Sequence, residues 1–199
     1  MHSRGFTLVE MLAVITISAI LVALALPSFR QIVRTSQISS TSNALHASID
    51  LSRSEAIRRN ATVIVCRSLD PENVAPACNS AAGNGYAAND WASGWITFVK
   101  APANVNNAVI EAGDELIARR AAFAPPSPDR LIVESTIPNT QQLTFFSNGL
   151  VSGASLGTFF IDYRDVQVAV RTAEARCLAV EFIGRARVSK VVNDACPAA

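Results

Sequence analysis

The chain has 199 residues, half of them hydrophobic, with 17 basic and 16 acidic side chains, four Cys and two His. That length suits one domain of ordinary size with an appendage, and it can bury a sizeable core. A net charge of +1 excludes a wholesale polyanion binder, so any nucleic-acid contact is local. Among the basic residues only Lys100 and Lys190 are Lys, and Arg offers planar, always-charged donors for phosphate or carboxylate. With His2 in a charged leader and His46 in a polar helical stretch, a Ser/Cys–His–Asp site or a His-rich metal centre has little material. The composition reads as a non-enzyme without a cofactor.

Residues 1–5 are short and basic, and from Phe6 to Leu26 runs an apolar stretch broken only by Glu10. At about 1.5 Å per residue it spans roughly 30 Å, the thickness of a bilayer's hydrocarbon core. A secretory signal peptide would show the basic start, the run and an A-x-A exit at Ala23-Leu24-Ala25. An ordinary membrane anchor would show the length. Neither accounts for Glu10, since an acid deep in a membrane helix costs about 2.5–3.5 kcal/mol.

Arg4-Gly5-Phe6-Thr7-Leu8-Val9-Glu10-Met11-Leu12, followed by the apolar run and Pro27, resembles the class III leader of type IV prepilins and type II secretion pseudopilins. The resemblance implies cleavage after Gly5 by a prepilin peptidase and N-methylation of the new terminus at Phe6. Methylation keeps the ammonium charge. A neighbouring subunit's Glu10 then neutralises it, and two charges that are costly alone in lipid become a pair that sets axial register.

Beyond Pro27, which is expected to interrupt or kink the helix, residues 28–60 lack Gly and Pro and keep Phe29, Ile32, Val33, Leu45, Ile49, Ala56 and Ile57 at helical spacing. Arg58-Arg59-Asn60 reads as the stop, with cations at the negative helix end and Asn tolerating the left-handed position. Period-two patterning then predicts strands at Thr62–Cys66, Trp95–Lys100, Leu116–Arg119, Leu131–Glu134, Gln142–Phe146, Phe159–Tyr163, Val166–Arg171, Arg176–Phe182 and Arg187–Val192. Loops marked by Gly, Pro and Asn separate them. The expected class is α+β, a long N-terminal helix packed on an antiparallel β-sheet head domain. The parts are a leader (1–5), a hydrophobic transmembrane and assembly helix (6–27), an amphipathic helix continuing into the head (28–60), and a disulfide-bonded β-rich head (61–199).

Two separated Cys pairs, the stretch Trp91-Ala92-Ser93-Gly94-Trp95, Phe146-Ser147-Asn148-Gly149, and a closing Cys–strand–Gly-Arg-x-Arg–strand–Cys together resemble the FimT/GspH group of minor pilins and pseudopilins. In an exported head, Cys66, Cys78, Cys177 and Cys196 are expected to form two disulfides, out of three possible pairings. Short loops favour Cys66–Cys78 and Cys177–Cys196, each closing a loop worth about 3 kcal/mol. A zinc site is the weaker rival, because there is no C-x-x-C and His is scarce.

Gly184-Arg185-Ala186-Arg187 is similar to the DNA-binding motif of FimT-type minor pilins of the DNA-uptake pilus. Gly184 suits a positive φ at a turn. Arg185 and Arg187, two apart in an extended segment, project to one side. Strand alternation puts Lys190 on the opposite face unless the strand twists or bulges, and Arg171 and Arg176 of the preceding hairpin extend the basic end. Two or three guanidinium–phosphate contacts give weak, salt-sensitive, sequence-independent binding. No aromatic residue interleaves the basic ones at this tip, which favours the duplex backbone over stacking on single strands.

Trp91 and Trp95 read as core packing, Arg58-Arg59 and Arg119-Arg120 as solvated element ends, and Asp114-Glu115 as no acid–base couple. The expected function is a FimT-like minor pilin at or near a pilus tip, binding DNA through Gly184, Arg185, Arg187 and Lys190 during natural transformation. The alternative is a GspH-like pseudopilin, structural in the type II secretion pseudopilus. Expected partners are the prepilin peptidase, the bacterial inner membrane, other pilins or pseudopilins, and DNA. The chain would sit single-pass in that membrane with its head in the periplasm before joining the fibre.

Overall fold

The computed structural model describes residues 7–104, 109–123, 130–138, 141–153, 156–164, 174–192 and 195–196, with the backbone alone for 24–28 and 104. The expected leader, with Gly5 and Phe6, and the expected strand Val166–Arg171 lie outside these residues. Helix α1 runs Leu8–Arg59 over 52 residues. Two units divide the chain at Ser36/Gln37.

In the first unit, Thr7 and Glu10 close a capping box. The Thr7 N–H donates to Glu10 Oε2 at 2.9 Å, and the Glu10 N–H to Thr7 Oγ1 at 3.3 Å. This spacing, Thr-x-x-Glu, satisfies two orphan donors of the first helical turn. Pro27 does not interrupt the helix. One missing N–H costs about 3 kcal/mol, and the long helical run on either side carries it. Leu8, Ile15, Leu21, Phe29 and Ile32 are all exposed. Among the described residues no helix is long and apolar enough to cross a membrane. The described side chains of the run end at Ala23, while in sequence it continues to Leu26.

In the second unit the helix buries Ile38, Leu45, Ile49 and Ala56, positions four and seven apart that share one face. Ile57, expected inside, is 51% exposed. The helix stops at Asn60, φ 50°. Its N–H bonds Ile57 O at 3.3 Å and that of Ala61 bonds Ala56 O at 3.1 Å, the paired bonds of a Schellman stop.

Among the described residues the β-structure forms two antiparallel sheets. The first has the order β3 (Glu115–Arg120), β2 (Trp95–Val99), β1 (Val63–Arg67), β5 (Gln142–Phe145); the second runs β4 (Arg130–Ser135), β6 (Thr158–Arg164), β7 (Arg176–Val180), β8 (Ala186–Lys190). A core of Leu45 and Ile49 from the helix, Val63, Val65, Trp95, Leu143 and Phe145 from the first sheet, and Leu131, Val133, Phe159, Ile161, Leu178 and Val180 from the second is sealed from water. Each such aliphatic or Phe side chain contributes about 1.5–3 kcal/mol. Both Trp are interior and satisfied: Trp91 Nε1 donates to Gln141 Oε1 at 2.8 Å, and Trp95 Nε1 to Ser48 Oγ of the helix at 2.9 Å. The outer face of the first sheet is covered too, by a small cluster of Ile64, Cys66, Ile96 and Phe98 with Cys78, Ile110 and Leu116. That is why β1 and β2 are buried along their whole length.

A buried cation organises the long loop after β1. Arg67, fully enclosed, donates to Asp90 O at 2.7 Å, Asn79 O at 2.9 Å, and Ala81 O and Ala87 O at 3.0 Å. Burial pushes its pKa down, and the Asp90 charge opposes that. Asp90 itself accepts from Ala92 N, Val133 N and Arg130 Nη1, tying the loop to the second sheet. Lys100 and Asp114 form an enclosed pair at 2.7 Å, so Asp114 and Glu115, which pairs with Arg59, serve structure.

Candidate polyanion-binding turn

The two disulfides are Cys66–Cys78 and Cys177–Cys196, the pairings that short loops favour. The first covers the outer face of β1. The second joins β7 to the segment beyond β8, across the edge of the second sheet. Among the described residues no group of His, Cys, Asp or Glu is arranged to hold a metal ion.

Strand β7 ends at Val180, where sequence alternation predicts it to run to Phe182. The chain turns because Glu181 N–H bonds Arg185 O at 2.9 Å and Gly184 N–H bonds Glu181 O at 2.9 Å. Phe182 and Ile183 are therefore exposed at the turn, 53% and 52%, not strand residues. Gly184 has φ 76°, the left-handed region that suits Gly. The turn is fixed to the rest of the head through Val151, whose N–H bonds Phe182 O at 2.9 Å. It abuts a second turn, Phe146 to Gly149, where Gly149 has φ 78°.

Arg185 and Arg187 are exposed and flank the buried Ala186, so both side chains project away from the core. Neither has a carboxylate or other acceptor among the described residues. The β7–β8 register is regular, Arg176 opposite Lys190 and Ala179 opposite Arg187, without a bulge. Lys190 therefore stands on the other face from Arg187, beside Arg176, and does not join the arginine pair. Arg176 is spent on backbone carbonyls of Glu174 and Ala175, and Arg171 lies outside the described residues. An aromatic does stand at the tip: Phe182 on one turn and Phe146, 44% exposed, on the other. Neither interleaves the arginines in sequence; Phe182 reaches the tip because the strand ends at Val180.

A residue that the sequence reading passed over lies beneath both turns. Arg53 of α1 packs its stem against them: a Cβ placed on Gly184 would stand 3.1 Å from Arg53 Cδ, and one on Gly149 would stand 3.4 Å from Arg53 Nε. Nearby, His46 spans Asp50 Oδ2 at 3.1 Å and Ala186 O at 3.3 Å. Nothing local in the sequence links residue 53 to residue 184; only the packing of helix on hairpin does.

The chain matches the family model described as Type II transport protein GspH over residues 41–184 and the prokaryotic N-terminal methylation motif over residues 1–26. The first match stops at Gly184, so Arg185 and Arg187 fall just beyond it. Among solved structures, the type IV minor pilin FimU of Pseudomonas aeruginosa strain PAO1 is similar in two crystal forms. In one, identity is 17% and the TM-score 0.50, over 77% of this chain and 89% of that one. In the other they are 18% and 0.48, over 76% and 91%. Identity at this level speaks for the fold, a long N-terminal helix leading into an antiparallel β head. No curated protein matches the sequence.

Proposed function

We propose a function from one premise: the chain belongs to the GspH family of minor pilins and pseudopilins, structural subunits rather than enzymes, and carries their N-terminal methylation motif. On our reading it is a minor type IV pilin, in or at the tip of a pilus, that binds DNA weakly during natural transformation. The prepilin peptidase cuts after Gly5 and methylates Phe6. The apolar run holds the subunit in the bacterial inner membrane with its head in the periplasm, and Glu10 pairs with a neighbouring terminus as the subunit enters a fibre.

The observation that supports DNA contact is the turn at 181–185, which presents Arg185 and Arg187 outward without a carboxylate partner among the described residues. Two bidentate guanidiniums grip phosphates and release counterions without reading bases. Phe182 and Phe146 add apolar faces on which unpaired bases can stack. A single head would bind weakly, and several heads on one fibre would bind by avidity.

The test is a titration of the full chain in detergent micelles with fluorescent DNA, duplex and single-stranded, at several salt concentrations. Binding that falls with salt and is lost in Arg185→Ala/Arg187→Ala supports the reading. Absence of binding at low salt by a folded protein favours the second reading, a structural pseudopilin of type II secretion, to which the GspH match itself inclines.

A further inference from the structure

We propose that Arg53 is a third phosphate-binding arm of this turn, so that the site is a tripod of guanidiniums contributed by the helix and the hairpin. The proposal rests on the polyanion reading of Arg185 and Arg187. Arg53 differs from them in coming from another element and in having no signature in the local sequence.

Three observations carry it. The first is placement. His46 meets Ala186, the residue between Arg185 and Arg187, and Arg53 lies two helical turns further along the same face. There its Nε is 3.2 Å from the Cβ position of Gly184. The second is charge accounting along the end of α1. Asp50 is held by His46. Glu55 holds both Arg58 and Arg59, and Arg59 also reaches Glu115. Arg53 has no acid partner among the described residues. The third is an unmet donor: Arg53 Nε is buried with no hydrogen-bond partner among the described residues. Enclosed between the turns, Nε is out of a phosphate's reach, but its lack of an acceptor shows a guanidinium not neutralised from within the head, and the terminal nitrogens are the donors left for a phosphate oxygen.

The stem explains how a half-buried Arg serves a surface site. Its Cδ and Nε lie against Gly184, and its Nε with the Ile57 side chain against Gly149, while the terminal guanidinium nitrogens take no acceptor from the described residues. A neutral wedge would fill the crevice as well, and only a cation adds to the grip.

The experiment compares wild type, Arg53→Gln, Arg53→Lys and Arg185→Ala/Arg187→Ala as full chains in detergent, using short random-sequence DNA. Affinity is followed against salt, and melting temperature is recorded for each. Arg53→Gln is expected to weaken low-salt binding about three- to tenfold and to lower the slope of log K against log salt by about one, with wild-type melting. Arg53→Lys is expected to keep the slope. A wild-type slope in Arg53→Gln would overturn the role of Arg53 while leaving the arginine pair standing. Equal losses in Gln and Lys with lowered melting would make Arg53 a packing wedge and also overturn it. If wild type does not bind at low salt, the polyanion reading and this arm fall together.

Discussion

Gly184 and Gly149 touch backbone to backbone: a Cβ on Gly184 would lie 2.1 Å from the Gly149 carbonyl oxygen. Each glycine also has a positive φ, so neither space nor conformation admits a side chain at Gly184. Gly184→Ala is expected to lower the melting temperature, at a cost of about 1–3 kcal/mol from strain, and to weaken DNA binding although both arginines remain. A melting temperature and salt slope equal to wild type would show that the two turns can part freely.

Glu10 has two separable uses, a cap for its own helix and a charge for a neighbour. Glu10→Gln keeps the capping hydrogen bond, while Glu10→Val removes it. If the charge governs assembly, both variants reach the membrane and neither enters fibres, as measured by immunoblotting sheared fibres against membranes. If Gln restores incorporation, the cap is what matters and the charge pair is not needed.

Arg67 holds four carbonyls of the long loop with one guanidinium. Arg67→Met removes every one of those donors from an enclosed site, and a loss of about 3 kcal/mol or more is expected. Limited proteolysis should cut first within residues 68–94. An uncut loop in a protein of wild-type stability would deny the cation its organising role.

The end of α1 is tied to β3 by Arg59 and Glu115. The Arg59 guanidinium, by hydrogen bonding, holds the Glu115 carboxyl below its ordinary value of 4.5. Arg58 and then Arg59 do the same for Glu55. A depressed carboxylate pKa contributes stability that is present above the unfolded value and lost as pH falls through the folded one. The melting-temperature gap between wild type and Glu115→Gln should therefore be open at pH 7 and close as the pH falls below the ordinary carboxylate value of 4.5. Added salt should narrow it at neutral pH, because Glu115 is exposed. A gap that persists in acid would assign the effect to packing.

Much of this molecule is legible in sequence where one local rule decides. Asn60 ends the helix because a left-handed residue is needed there, and the cysteine pairs follow loop length. Lys190 falls on the far face because alternation is strict where the register has no bulge. Local rules fail where a distant contact decides. Leu178, Val180 and Phe182 alternate, yet the strand ends at Val180, since the bond from Glu181 to the Arg185 carbonyl closes the turn first. Period-two patterning also cannot say how strands divide into sheets, and here they form two. Arg53 and Arg67 are opaque in sequence, because their importance comes from glycines and carbonyls that the fold brings to them.

The position of Cys177–Cys196 has a mechanical meaning. Arg185 stands just before β8 and Arg187 within it, an edge strand with a single neighbour among the described residues, so whatever pulls on them pulls on the most easily stripped strand of the sheet. The segment that follows β8 is bonded to β7 at Cys177, and the hairpin is thus closed by peptide at one end and by sulfur at the other. The strand cannot be unzipped from its far end while that bond is intact. Oxidation state sets how much tension the grip survives, separately from how tightly it holds.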